Sequence, residues 1–188
     1  MMFTPWGYDI DDSLPPLVPV GESVDLEKLA VLNAVSQAIR NACGWHIAPS
    51  LDCTATLTAN GKMLQLPAGY VSEISSLKED GITLGSGEFE WRHDGLLRRC
   101  CFKNFVPKWD GIVVEYTAGY ELDAVPDLAH VVEEITNSIL TLPKGVISES
   151  ADGVSISYSM QAQSVANAMT EQFRAQLAPY KLVSSHAA

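Results

Sequence analysis

The side chains capable of chemistry are scattered through this sequence, and each catalytic reading of them fails on partners. The four histidines, His46, His93, His130 and His186, form neither an HExxH pair nor a Cys/His set at metal-ligand spacing. Cys43 and His46 are near enough to make an activated thiol, because helix termini shift thiol pKa values. Cys43 is expected at the C-terminal end of a helix, however, where the dipole disfavours a thiolate. Glu133 and Glu134 project about 100° apart on a helix and read as a solvated face rather than a carboxylate dyad. Gly85-Ser86-Gly87 has neither the Lys-Ser/Thr of a P-loop nor the spacing of a dinucleotide fingerprint, so it reads as a turn. Trp45, Trp91 and Trp109 could stack on bases, yet in an acidic chain they read as core or interface anchors. Cys43, Cys53, Cys100 and Cys101 lack CxxC spacing and the density of a disulfide scaffold. Cys100 and Cys101, expected on a strand, would point to opposite faces, so reduced thiols are expected. No catalytic, cofactor or metal site is expected.

The elements must therefore serve something other than an active site. With 188 residues, 47% hydrophobic and 19% charged, the chain has the composition of one globular domain with an arm or tail. No apolar run approaches the roughly 20 residues needed to span a bilayer. The N-terminus has no basic region followed by an apolar one, so no secretory signal is expected. A net charge of −11 argues against wrapping nucleic acid through its phosphates. The charge is uneven. Residues 1–27 hold Asp9, Asp11, Asp12, Glu22, Asp25 and Glu27 and no base, whereas Arg92, Arg98, Arg99, Lys103 and Lys108 face Asp94 alone between 92 and 108. Such patches either meet between subunits or partners, or are ordinary solvated faces.

Residues 1–22 read as an extended arm, since Pro5, Pro15, Pro16 and Pro19 interrupt helix and ladder while Trp6, Tyr8, Leu14, Leu17 and Val18 are too apolar for a free linker. It would lie in a groove of its own domain or of a neighbour. Helix one is expected over 24–42, capped by Ser23, with Leu26, Leu29, Leu32, Val35 and Ile39 as its buried stripe and Gly44 as its C′ residue. Residues 46–118 read as β, with strands near 53–58, 63–66, 71–78, 88–92, 96–102 and 112–117. Asn60-Gly61 marks a hairpin, and Asp80-Gly81, Gly85-Ser86-Gly87 and Asp94-Gly95 mark turns. Helix two starts at Pro126, buries Leu128, Val131, Val132, Ile135, Ile139 and Leu142, and stops at Pro143 and Gly145. A hairpin over 146–160, a third helix over 164–177 and a tail after Pro179 complete an α+β chain: about three helices, with an antiparallel β section between helices one and two and a β-hairpin before the last helix. The expected division is an arm at 1–22, a single domain at 23–178 and a tail at 179–188.

Several short motifs in this order resemble the head–tail connector proteins of tailed bacteriophages, the adaptors below the portal. They are Gly44-Trp45 with Ile47-Ala48-Pro49, Leu66-Pro67-Ala68-Gly69-Tyr70-Val71, Asp80-Gly81, Tyr116-Thr117-Ala118-Gly119-Tyr120 leading into Pro126-Asp127-Leu128, Glu149-Ser150 with Ser157-Tyr158, and Leu177-Ala178-Pro179-Tyr180. The likeness runs from helix one to the last helix and leaves out the arm. It implies a structural virion protein and not an enzyme: a ring of about 12 copies at the neck, made in the host cytoplasm, joining the portal to a stopper or tail-terminator protein. DNA would pass through the ring without sequence-specific binding, and an acidic lumen would repel phosphates. The resemblance puts Arg174, Tyr180, Lys181 and Leu182 against the portal. Trp6, Tyr8, Asp11 and Asp12 of the arm, with Arg98, Arg99 and Lys103 of the basic segment, are expected between subunits. Folding of the arm onto its own subunit and a DNA contact by the basic segment are the alternatives. A stopper or tail-terminator ring is the other virion reading, against which three helices count. A small cytoplasmic enzyme and a monomeric binding module are the readings from other classes.

Overall fold

This computed structural model describes residues 2–3, 5–10, 14–21, 24–59, 61–101, 103–141 and 171–182. The fold is α+β, and the chain divides into two compact units that alternate along the sequence. Unit one comprises Met1–Leu14, Cys43–Glu121 and Tyr180–Ala188, and unit two comprises Pro15–Ala42 and Leu122–Pro179. These units cut across the expected boundaries at 22 and 178.

Unit one is built on a six-stranded antiparallel sheet. Its strands are β1 (Met2–Phe3), β2 (Tyr8–Ile10), β3 (Leu51–Leu57), β5 (Val71–Glu79), β6 (Ile82–Thr83) and β9 (Ile112–Ala118), in the spatial order β1-β2-β3-β9-β5-β6. A second sheet has the order β4-β8-β7, with β4 at Met63–Gln65, β7 at Phe89–Trp91 and β8 at Leu96–Arg99. Strict alternation puts Ile112, Val114, Tyr116 and Ala118 of β9 on the buried face and Val113, Glu115 and Thr117 on the other. Registers Thr54↔Glu115 and Asp52↔Thr117 extend this second face across β3, and Asp9↔Thr54 carries it to β2. It is polar and acidic: Asp9, Asp52, Glu73 and Glu115 stand on it, with Lys78 bonded to Glu115 at 3.0 Å.

Three expectations for this unit are corrected. Asn60-Gly61 does not fold β3 back on β4, because β2 and β9 occupy both edges of β3 and β4 pairs with β8 instead. Part of the arm is a strand with neighbours on both sides. No proline lies between Trp6 and Leu14, so Tyr8–Ile10 has every donor it needs to pair with β3. Cys100 and Cys101 follow the end of β8 rather than extending it, Cys101 having φ +57.

Unit two holds α1 (Leu26–Cys43, whose last residue lies in unit one), α2 (Pro126–Thr141) and α3 (Glu171–Gln176). Leu17 and Val18 are buried; the Leu17 N–H donates to Ser36 Oγ at 3.0 Å, and the buried Arg40 guanidinium donates to the Pro15 carbonyl at 2.8 Å. On α1 the buried stripe is Val31, Leu32, Val35, Ser36, Ile39 and Arg40. Leu26, expected inside, is 81% exposed, since it stands in the first turn before the stripe begins. The expected cap Ser23 lies outside the described residues, and Asp25 sits in the capping place, Oδ1 accepting from the Glu27 N–H at 3.5 Å. Gly44 ends the helix with φ +83, as its place required. On α2, Leu128, Val131, Val132 and Ile135 are buried as the 3.6-residue period predicts. The hairpin at 146–160, Leu142 and most of the expected third helix lie outside the described residues.

Candidate functional site

The two ends of the six-stranded sheet differ in kind. At one end Leu51, Ala118 and Val71 lie in register, and the motif words of the sequence converge there. His46 is fully buried, with Nδ1 2.7 Å from the Tyr8 hydroxyl and Nε2 3.0 Å from the Ala118 carbonyl. A carbonyl only accepts, so Nε2 carries the proton, and Tyr8 donates to Nδ1 while accepting the His46 N–H at 3.0 Å. Gly119 has φ +104, and a Cβ there would stand 2.4 Å from the Pro49 carbonyl oxygen and 2.7 Å from His46 Nε2. Its N–H donates to the Tyr70 carbonyl, and that of Tyr120 to the Ile47 carbonyl, beside the cis Ala48–Pro49 bond. Trp45 is 1% exposed, and its indole donates to the Tyr180 carbonyl at 2.6 Å. Tyr70 and Tyr120 stack at 4.6 Å, and the Tyr180 ring meets Tyr120 edge-on. These words describe an internal joint.

That joint absorbs two residues expected at the portal. Tyr180 caps Trp45, and the Leu182 N–H donates to the Cys43 carbonyl at 2.9 Å, so the start of the expected tail is part of unit one. Lys181 and Arg174 are exposed. Burial pushes the Cys43 thiol up to about 11 against a small opposing effect of Lys181, which leaves a neutral thiol at neutral pH. Burial, with Tyr70 beside it, raises the Tyr120 phenol as well.

At the other end Leu57, Ile112 and Glu79 lie in register, and a loop spanning 103–111 is pinned there. Glu79 accepts the Val106 N–H at 2.7 Å and pairs with the buried Arg99 at 3.3 Å. The Asp80 N–H donates to the Gly111 carbonyl, Lys108 pairs with Asp80, and the Asp110 N–H donates to Thr58 Oγ1 at 3.1 Å. On this held frame stand Trp109, 86% exposed, Val106 at 47% and, on β6, Ile82 at 70%. All three are large apolar side chains left open to solvent.

The basic segment read from the sequence is not an unopposed patch. Arg92 pairs with Asp94 at 2.9 Å, Arg98 with Glu90 at 2.5 Å, Arg99 with Glu79 and Glu88, Lys103 with Glu88 at 3.9 Å, and Lys108 with Asp80. Asp94 lies inside the sequence window, and the fold brings Glu79, Asp80, Glu88 and Glu90 to it from outside. Arg99 is buried and paired within its own chain, and Tyr8, 1% exposed, is likewise packed inside it. Trp6 is half-buried and stacks on Tyr8 at 6.1 Å. Asp11 and Asp12 lie outside the described residues.

Unit two has a cleft of about 160 Å³ between its N-terminal segment, α1 and α2, lined by Val20, Val24, Lys28, Leu32, Glu133 and Thr136 among others. The Thr136 hydroxyl is buried without a hydrogen-bond partner. Among the described residues no group of three or more His, Cys, Asp and Glu could hold a metal, and no helix is long and apolar enough to cross a membrane.

No family model and no curated protein matches this chain. Solved structures do. A chain in the neck of a native gene transfer agent particle, computed with C12 symmetry, is similar over 100% of this chain and 99% of its own, with TM-score 0.59 and 18% identity. A chain in the neck of an empty particle, computed with C6 symmetry, is similar over the same shares with TM-score 0.59 and 16% identity. The whole chain thus shares the fold of those neck chains.

Proposed function

We propose that this protein is a structural subunit of the neck of a phage-like particle, a head-to-tail adaptor that forms a ring of about 12 copies below the portal and continues the DNA channel. The observation that carries the reading is the likeness, over 100% of this chain and 99% of its own, to a neck chain from a reconstruction computed with C12 symmetry. The surface supports it. A ring subunit needs two different lateral faces whose heterologous contacts close by rotation, and an exposed Trp109 with Val106 and Ile82 is surface of that kind. The acidic face of the six-stranded sheet, with Asp9, Asp52, Glu73 and Glu115, is suited to a channel wall that repels phosphates. The portal and a stopper or tail-terminator protein are the proposed neighbours, with exposed Arg174 and Lys181 as candidate portal contacts and Trp6, Arg98 and Lys103 as candidate contacts between subunits.

Cryo-electron microscopy of particles carrying this chain tests the reading. Density for it in a symmetric ring next to the portal is expected. Placement further down the neck would make it a stopper or tail-terminator, and absence from the particle would overturn a structural role.

A further inference from the structure

A ring needs a knob and a hole, and the described residues offer one of each, the knob in unit one and the hole in unit two. The knob is Trp109, held out by the Glu79–Val106, Lys108–Asp80 and Asp110–Thr58 contacts. A preformed aromatic side chain loses little freedom on docking and is the commonest kind of interface anchor. The hole is the unit-two cleft, whose 160 Å³ is on the scale of one large side chain. Its walls Val20, Val24 and Leu32 are apolar. Thr136 is among its lining residues and its buried hydroxyl has no hydrogen-bond partner among the described residues; a buried hydroxyl left so costs free energy that a docked donor would recover.

Charge matches as well. Trp109 is flanked by Lys108 and Asp110, and the cleft is lined by Lys28 and Glu133. Among the described residues Asp110, Lys28 and Glu133 make no ion pair within the chain. We propose that Trp109 of one copy inserts into this cleft on the next copy. Its indole N–H donates to Thr136 Oγ1, offered by a χ1 change open to threonine in a helix. Asp110 lies against Lys28, and Lys108 against Glu133. The contact is heterologous, so repetition yields a ring. It rests on the ring reading above and names the surfaces that make it.

The test mixes two versions of the full-length protein, both carrying Cys100→Ser and Cys101→Ser. One adds Val106→Cys, exposed on the same loop with Trp109 left in place, and the other Val20→Cys on the rim of the cleft. A short bis-maleimide should join unlike copies, and should not join Val106→Cys to a Thr56→Cys control on the exposed sheet face. In parallel, Trp109→Ala should weaken self-association about 30-fold or more. Asp110→Lys and Lys28→Asp should each weaken it, and the pair together should restore it. Electron microscopy of the unmodified protein, alone and on portal-bearing heads, reads the ring separately. Rings without the unlike-copy cross-link overturn this contact and leave the ring reading standing. The cross-link without closed rings supports the contact and counts against the ring. Neither cross-link nor rings overturns both.

Discussion

The two ends of one sheet divide the labour of this molecule. At the Ala118 end the polar groups of His46, Tyr8, the Trp45 indole and the Tyr180 carbonyl all have partners inside the chain. At the Ile112 end the frame is as well bonded, yet it displays Trp109, Val106 and Ile82 to solvent. The first end spends its aromatics on its own stability, and the second keeps them for something else. Recognisable sequence words mark the former, because tight joints dictate residue type.

Substitutions can break this contrast. Gly119→Ala should be the most damaging. Its Cβ would meet the Pro49 backbone at 2.4 Å with φ +104, and a loss on the order of 4 kcal/mol or failure to fold is expected, read by denaturant unfolding. Arg99→Ala strands Glu79, a buried carboxylate, and removing one member of a buried pair costs roughly 3–5 kcal/mol. The same melts check it, and Val106 should show faster amide exchange as its acceptor moves. Tyr8→Phe removes the donor to His46 Nδ1 and the acceptor of the His46 N–H, for a loss of about 1–3 kcal/mol. A melt unchanged by that substitution would return the arm to its neighbour.

The Cys43 thiol sharpens the comparison through pH. Its folded pKa of about 11 lies above the reference 9.0, so the unfolded chain ionises first; its contribution to stability is complete below 9 and is lost as pH rises towards 11. Alkylation of Cys43 at pH 8 should accordingly be slow in the folded protein and fast in denaturant. The smallest effect on the subunit itself is expected for Trp109→Ala, within about 0.5 kcal/mol of the parent in thermal unfolding. A large drop there would show that the tip belongs to the core and would erase the contrast.

Local chemistry was readable where a residue's type is forced by its immediate neighbours. Pro126 at a helix start, Gly44 at a helix end, the Asp80-Gly81 turn and the strand at β9 all stand where the sequence places them. Pairing was not readable, because it joins residues far apart. The proline-rich arm hid the β2 strand, the Asn60-Gly61 signal promised a hairpin that β9 forestalls, and a run of bases seemed unopposed until strands brought Glu79, Asp80, Glu88 and Glu90 to it. Trp109 could be named as an anchor or a core residue, but its exposure depends on a loop held by Glu79 and Asp80, and no spacing encodes that.

The bond from Trp45 to Tyr180 joins residues 135 positions apart, and with it unit one draws on three separate stretches of chain. A ribosome delivers β2 and β3 long before β9, and the segment that caps Trp45 later still. Neither unit is a contiguous length that can finish folding while the rest is being made. Non-local pairing of this sort is slow to nucleate and leaves strand edges bare in the interim. The nascent chain therefore carries β3 unpaired on its β9 side until residues 112–118 have been made, and its joint closes when Tyr180 and Leu182 arrive.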